Sequence, residues 1–409
     1  MSVMSADYLS AQDAAERLGV NLATLYAYVS RGKIDSRPGP DGRSREYRTN
    51  DIEHLIERRQ AGRGAAKGAA HSLTWGLPVL ETRISLIRPP HGHYYRGQSA
   101  IALAQSGASL EDTARLLWDC NDSDPFATPP SRTWPKAVAA LLHQHGLPPL
   151  ERTAAALPLL SLTAPYLHST DASQRREAAA RLLRETAALL CNTRPDQRPI
   201  HQLIAETWRR GDTHLPELVR SALVLCADHE LNASAFATRV AASTGASLHA
   251  AVCAGLAALS GPQHGGATAR AYALLQDTTR EGHPAEHVRE RLRHGGELAG
   301  FGHPLYPEGD PRATLLLKML RETHPRLAGF AHIQDLSDAV SDSCGRQPSL
   351  DFALAAIASL YELGADAALS LFAAGRMAGW LAHSLEQQDS GSLIRPRANY
   401  AGALPARRD

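Results

Sequence analysis

Apolar and polar positions divide the chain into two stretches with different patterns. From about Tyr8 to Arg59 short helical patterns alternate with turn signals. Ser10 followed by Asp13 marks a helix start, Ala11 to Leu18 is the helix it opens, and Gly19 tolerates the left-handed cap that ends it. A second helix starts at Asn21, carries Leu22, Leu25 and Val29 on one face and stops at Gly32, so a tight Gly-Val-Asn turn joins two short helices. Ile34 and Pro38-Gly39-Pro40-Asp41-Gly42 then lead to Arg43, Arg45, Tyr47 and Arg48, the outline of a β-hairpin wing, and a third helix follows from Asn50. Gln60 to Ser72, QAGRGAAKGAAHS, has no apolar period and reads as a linker.

From Trp75 onward, Ala- and Leu-rich segments are separated by Gly, Pro, Ser and Asp, with scarcely any β-branched run, which predicts nearly all helix. The expected helices are Ala100 to Gln105, Leu110 to Asp119, Trp134 to Gln144, Gln174 to Cys191, Ile200 to Trp208, Pro216 to Ala227 and Ala233 to Thr244. Further on come Leu248 to Ala258, Ala267 to Gln276, Ala285 to His294, Pro311 to Arg321, Phe352 to Tyr361 and Ala367 to Gln388. The apolar stretch Ala154 to Leu167 is interrupted by Pro158 and Pro165. An all-α chain of this kind is a helical enzyme or a solenoid, and no fixed repeat supports the solenoid.

Composition narrows the classes. In 409 residues, Lys and Arg number 43 against 42 Asp and Glu, for a net charge of +1, so any contact with a polyanion must be local. The cysteines, Cys120, Cys191, Cys226, Cys253 and Cys344, form no C-x-x-C pair, which fits a reduced cytoplasm. MSVMSADYLS has neither the basic nor the apolar region of an export signal, and no stretch is apolar enough to span a bilayer. The expected location is cytoplasmic, with no membrane partner.

The wing region holds a modest basic excess: Arg31, Lys33, Arg37, Arg43, Arg45 and Arg48 against Asp35, Asp41 and Glu46. Its pattern resembles the winged helix-turn-helix of the excisionase and MerR-type families, in which the second helix enters the major groove and the wing lies on the backbone. That resemblance implies duplex DNA as a partner, through Thr24, Tyr26, Arg31, Arg43, Arg45 and Arg48. A docking or dimerisation module that no longer binds DNA is the alternative.

Chemistry-bearing residues gather at loop-to-helix junctions: ADHELN (227–232), SGPQHGGA (260–267), GFGHPLYPEGDPR (300–312), and Asp351 in SLDF with Arg376 and Arg395. No H-E-x-x-H or similar ligand pair occurs, and His91 and His93 have no carboxylate or Cys beside them, so no metal site is expected. G-x-S-x-G is absent, which disfavours nucleophilic hydrolysis. Arg376 lies within a helical stripe of Leu369, Phe372, Ala373, Met377 and Trp380. A buried cation needs an anion, either a structural carboxylate or a ligand carboxylate.

Taken in order, ADHELNAS, LSGPQHGG, GFGHPLYPEGDPR, SLDF and GRMAGWLAHSLEQ…LIRPR resemble the signature blocks of the citrate synthases, and Tyr94-Tyr95-Arg96-Gly97 resembles that family's YRG block. The likeness runs from about Trp75 to the C-terminus. It implies an all-α, two-domain helical fold preceded by the small winged unit: residues 1–60 winged helix-turn-helix, 61–72 linker, 73–261 and 361–409 large domain, 262–360 small domain. It also implies a homodimer or higher homo-oligomer that condenses acetyl-CoA with oxaloacetate to citrate and free CoA. The alternatives are a 2-methylcitrate synthase using propionyl-CoA, and a DNA-binding regulator that keeps the pocket as a metabolite sensor.

Carried onto this chain, the resemblance makes Asp351 the base that deprotonates the thioester methyl and His264 the donor to the enolising oxygen. His303 polarises the ketone, while His229, Arg312 and Arg376 hold the substrate carboxylates, with Arg395 reaching in from the partner subunit. No tightly bound cofactor is implied; the acyl-CoA is a cosubstrate. His383 is assigned a structural role. Two departures concern the CoA grip: Pro307 and Glu308 stand where a basic residue is common, and Thr268-Ala269 where Asn-Glu is common. Arg96, Arg132 and Arg270 are the alternative phosphate contacts.

Overall fold

The computed structural model describes residues 8–39, 44–62, 80–88, 92–120, 123–144, 146–323, 328–396 and 402. Its contacts divide the chain into two units, Met1–Glu81 with Pro396–Asp409, and Thr82–Arg395.

In the first unit, strands β1 (Tyr8–Ser10), β2 (Ser36–Pro38) and β3 (Arg45–Arg48) form an antiparallel sheet with β3 in the centre. Helix α1 (Ala11–Leu18) starts where the Ser10 hydroxyl accepts the Asp13 amide, and ends at Gly19 in the left-handed region. Helix α2 (Leu22–Ser30) is capped by Asn21. Helix α3 (Thr49–Gly62) closes a small core of Ala14, Leu18, Leu25, Ile34, Tyr47, Ile52 and Leu55. It runs through Gln60 to Gly62, so the first residues expected as linker are helical. The remainder of that segment, 63–72, lies outside the described residues, as does the wing tip, 40–43.

The second unit is mostly helical, as its pattern predicts. In order come α4 (Ala100–Gln105), α5 (Leu110–Leu117), α6 (Lys136–Leu142), α7 (Pro149–Ser161), α8 (Ala172–Leu190), α9 (Ile200–Trp208), α10 (Leu215–Cys226), α11 (Ala233–Ser243) and α12 (Leu248–Leu259). Then follow α13 (Gly266–Glu281), α14 (Pro284–Arg293), α15 (Pro311–Thr323), α16 (Ala328–Cys344), α17 (Leu350–Leu360) and α18 (Ala365–Ser390).

Three features differ from the sequence expectation. A sheet of β4 (Ser85–Arg88), β5 (Gly92–Tyr95) and β6 (Gln98–Ser99) precedes the helices. Its tight turn uses positive φ at Arg96 (44°) and Gly97 (83°), the geometry of a two-residue hairpin. The strands are too short for alternation to show. Helix α7 crosses Pro158, which the sequence reading took as a break, because Leu157 and Leu160 are buried on either side of it. Helix α16 was not expected at all.

Helix α18 is the axis of this unit, packing against α5, α7, α8, α10, α11, α12, α13 and α17. Its residues are buried on every face from Ala367 to Leu385, so it has no polar side and reads as a core helix. Among the described residues no helix is long and apolar enough to cross a membrane.

Candidate active site

Arg376 sits halfway along α18, where α10 comes unusually close. A Cβ on Gly375 would stand 2.6 Å from the Cys226 Cβ and 2.7 Å from the Leu223 carbonyl, so only glycine fits that crossing. The approach lets Arg376 Nε donate to the Cys226 carbonyl at 2.8 Å, while the guanidinium lies 4.7 Å from the Phe372 ring centre. Arg376 is 2 % exposed, yet no carboxylate among the described residues lies within ion-pairing distance of it. Burial pulls its pKa down against the field of Asp228. The structural partner left open by the sequence is therefore not a direct ion pair.

The turn after α10 is held by the small sheet. Asp228 is fully buried; one oxygen accepts from the Ser85 hydroxyl and from the Glu230 amide, and the other is 3.3 Å from His383 Nε2 on α18. Glu230 adopts φ 50°, a conformation that non-glycine residues rarely hold without support. Its carboxylate accepts from the Ile87 amide of β4, which supplies that support. Between these two anchored residues, His229 Nε2 lies 3.2 Å from the Tyr306 hydroxyl. Burial, then Arg312, holds its pKa well below the usual imidazole range.

The 300–312 loop meets that turn. The His303 ring is 5.5 Å from His229 and 5.0 Å from Tyr306, centre to centre. His303 Nδ1 accepts the Leu305 amide at 3.1 Å, and burial lowers its pKa to about 4. A neutral imidazole with Nδ1 occupied as acceptor carries its proton on Nε2, so His303 offers a neutral N–H donor. Arg312 is 3 % exposed and gives its Nε and Nη2 to the two oxygens of Asp310 at 2.9 and 2.7 Å. Burial opposes its charge, but Asp310 outweighs that and raises its pKa. Asp310 also accepts the Leu350 amide at 3.1 Å, which ties the loop to the start of α17.

Asp351 stands in the first turn of α17. The Ser349 amide donates to the Gly300 carbonyl at 2.8 Å, and Phe301 bridges to Pro348, so two segments fix where α17 begins. Loss of water pushes the Asp351 carboxyl up to about 6, against the pull of Arg312. A base poised near neutral pH is what proton abstraction requires.

His264 comes from the junction of α12 and α13. A Cβ on Gly265 would fall 2.5 Å from the Leu259 carbonyl, so the chain turns there because glycine follows the histidine. His264 Nε2 lies 2.8 Å from the Ser234 Oγ of α11, and Trp380 Nε1 donates to that same oxygen at 3.1 Å. The Ser234 hydroxyl has one proton and two acceptors within reach, the Asn232 Oδ1 at 2.8 Å and His264. If it is given to His264, the neutral ring, whose pKa burial lowers to about 4, carries its own proton on Nδ1.

The fold thus gathers His229, His303, Arg312, Arg376, Asp351 and His264 from five chain segments into one unit. It also contributes residues the sequence reading passed over: Ser234, Asp310, Tyr306 and above all His93. His93 is 1 % exposed, its ring is 5.8 Å from that of His229, and burial pulls its pKa down to about 3. Tyr95, also fully buried, spends its one hydroxyl proton on the Val224 carbonyl at 2.8 Å, so His93 Nε2 at 3.0 Å must be the donor to it. The sequence pairs His93 only with His91, as a metal candidate; its place two residues before Tyr95, on one face of a strand, is the signal that points to it. Among the described residues no group of three or more His, Cys, Asp or Glu is placed to hold a metal ion. His383 is fully buried in the core beside Asp228, in keeping with its structural assignment.

Other residues are not drawn in. Arg395 is exposed in the single chain. Of the alternative CoA contacts, Arg96 is engaged by the Leu117 carbonyl and Asp119, and Arg270 by Glu297 and the Pro262 carbonyl, while Arg132 is exposed. In the first unit Thr24 gives its hydroxyl proton to the Asn21 cap, Tyr26 is half exposed, and Arg48 pairs with Asp35 at 3.4 Å. Arg31 and Arg45 are exposed; Arg43 lies outside the described residues.

Comparison with known proteins gives the following. The family model described as citrate synthase, C-terminal domain, matches residues 72–397, and a helix-turn-helix domain model matches residues 8–60. Citrate synthase 2 of Bacillus subtilis is 37 % identical over 190 residues, covering 46 % of this chain and 51 % of that one. Citrate synthase of Haloferax volcanii is 40 % identical over 195 residues, with 46 % and 51 % covered. 2-Methylcitrate synthase of Shewanella oneidensis is 33 % identical over 191 residues, with 45 % and 50 % covered. The chain spans about half the length of the curated relatives it matches. The crystal structure of citrate synthase from Thermotoga maritima matches with a TM-score of 0.67 at 25 % identity, over 81 % of this chain and 96 % of that one.

Proposed function

The chain belongs to the citrate synthase family, and from that premise we propose that it condenses an acyl-CoA with oxaloacetate, releasing CoA. The observation that carries this reading is Arg376: a guanidinium 2 % exposed, with no ion-paired carboxylate among the described residues, whose field reaches two imidazoles that burial keeps neutral, His229 and His264, and the Asp351 carboxyl, which burial pushes up to about 6. That set calls for an anion that also undergoes acid-base chemistry.

In this mechanism Arg376, His229 and the Nη1 side of Arg312 hold the oxaloacetate carboxylates, and Arg395 of a second copy completes the grip in a homodimer. Asp351 takes a proton from the carbon next to the thioester carbonyl. With the Ser234 hydroxyl proton given to its Nε2, His264 offers Nδ1–H to the enol oxygen; a preorganised donor of this kind is worth about 3 to 4 kcal/mol. The enol carbon attacks the ketone carbon, and His303 Nε2–H protonates the oxygen that becomes the tertiary hydroxyl. Water then cleaves the citryl thioester and CoA departs. Closure of a small domain, residues 262–360, over the rest excludes water until the carbon–carbon bond has formed.

A thiol-release assay with oxaloacetate and either acetyl-CoA or propionyl-CoA, run beside Asp351→Ala, tests the reading. Turnover absent from the variant supports a synthase, and the preferred thioester distinguishes citrate from 2-methylcitrate formation. Folded protein that binds oxaloacetate without turnover favours a sensor.

A second reading concerns the first unit. Its two capped helices and wing favour contact with duplex DNA, with α2 at the groove. Arg37 is paired with Glu46 at 2.8 Å and Arg48 with Asp35, which leaves Arg31, Lys33 and Arg45 as described basic side chains carrying no ion pair among the described residues. Each phosphate neutralised contributes about −0.9 to the salt slope, so three predict a shallow slope of about −2.7 per unit. Titration of duplex DNA across salt concentrations measures it; a slope steeper than about −5 would mean that other basic residues carry the contact.

A further inference from the structure

Helices α11 and α12 carry the candidate site at one end and α18 carries it at its middle, and the three share a second feature farther along. Between the C-terminus of α11, the N-terminus of α12, the C-terminus of α18 and the start of α8 lies a cleft of about 470 Å³. At 1.5 Å per residue, Ser243 is about 14 Å along α11 from Ser234, and Gln387 about 16 Å along α18 from Arg376. The cleft is therefore separate from the site but built on the same rigid elements.

Its wall has a definite chemistry. Arg175, His168 and His249 line it together with several hydroxyls, and no Asp or Glu does. His249, in the first turn of α12, is 5 % exposed, and neither ring nitrogen has a hydrogen-bond partner among the described residues. Arg175 gives Nη2 to the exposed Asp389 at 2.5 Å, but its buried Nε–H has no acceptor among them. The first turn of α12 adds the positive end of a helix dipole. Unmatched N–H donors, a guanidinium whose carboxylate partner faces water, and a helix N-terminus, without any lining acid, all favour a negatively charged oxygen ligand. Leaving such donors unmatched costs free energy that an oxyanion would recover.

The same wall anchors the segment that ends at Arg395. Ser243 Oγ accepts the Ile394 amide at 3.1 Å, and Gln387 Nε2 donates to the Ser392 carbonyl at 2.7 Å. A ligand that draws on these wall groups alters how the 392–395 segment is held.

We propose that this cleft is a second ligand site, for a small oxyanion of carboxylate or phosphate type, and that its occupation changes oxaloacetate affinity through the segment bearing Arg395. The coupling rests on the condensation reading; the binding does not. The test uses the full chain, with inorganic phosphate and malonate each titrated against chloride at fixed ionic strength, reading melting temperature and calorimetric oxaloacetate affinity. These readouts need no turnover, so loss of the condensation reading would show separately in the thiol-release assay. At least one probe is expected to raise the melting temperature and shift oxaloacetate affinity about fivefold. Both responses should vanish in Arg175→Gln and in His249→Phe, whose affinity for oxaloacetate without probe stays at the wild-type value. Response to phosphate alone identifies a phosphoryl ligand, and to malonate alone a carboxylate. Equal responses in the variants would place the anion in the active site and overturn the proposal, as would no response in the wild type. A melting shift without an affinity change would overturn the coupling. Arg175→Gln alters a side chain at the rim, so the test stands even if His249→Phe folds poorly.

Discussion

Asp351→Asn should lower the condensation rate by about 10³-fold while leaving oxaloacetate affinity within about twofold of the wild type. The substitution keeps shape and removes only the basic oxygen, so the loss reports proton abstraction rather than packing. The pH dependence has a definite sign. Burial raises the Asp351 carboxyl to about 6, and the reaction needs the ionised form, so turnover should fall about tenfold per unit as pH drops below that value. His264 and His303 lie at about 4 and stay neutral across this range, so they add no limb above pH 5. A rate profile from pH 5 to 8, for both proteins, decides it. A flat wild-type profile, or a variant that keeps a tenth of the activity, would remove Asp351 from the role of base.

Much of this site was legible in the chain because its residues sit at punctuation. His264, His303 and Asp351 lie next to glycines, prolines or helix starts, and His229 in the short turn between two helices, where sequence patterns change and where loops deliver function. Arg376 was legible for the opposite reason, as a charge inside an apolar helical stripe. What stayed hidden depends on distance in sequence. Tyr95 is tied to the site by a hydrogen bond to the Val224 carbonyl, more than a hundred residues on, and His93 by its bond to that tyrosine and its ring beside His229; no local pattern encodes the Tyr95 contact with Val224. Ser234 looked like an ordinary helix residue until Trp380, from α18, donated to its oxygen. The same holds for the fold. Strands of two to four residues are too short to show alternation, and α7 keeps its helix across Pro158 because tertiary burial outweighs the lost backbone hydrogen bond.

Arg376 gives the second large effect, because function and stability should move in opposite directions there. Its guanidinium is held by one backbone carbonyl and an aromatic face, with no ion-paired carboxylate among the described residues, so the ligand-free protein carries a desolvated charge that the field of Asp228 offsets only in part. Burial depresses its pKa, which is the same cost seen from the side of the proton. Arg376→Met keeps the volume and the apolar stem while deleting the charge. The variant should melt at or above the wild-type temperature without substrate, since removing an uncompensated buried charge is neutral or stabilising. Its oxaloacetate affinity should fall by about 10² to 10³, because the carboxylate would enter a dry site without its partner. The stabilisation that oxaloacetate confers on the wild type should disappear with it. Calorimetric titration and thermal melting, with and without oxaloacetate, read both halves. A variant that melts well below the wild type would show that Arg376 is a structural cation, whereas unchanged affinity would move the carboxylate grip elsewhere.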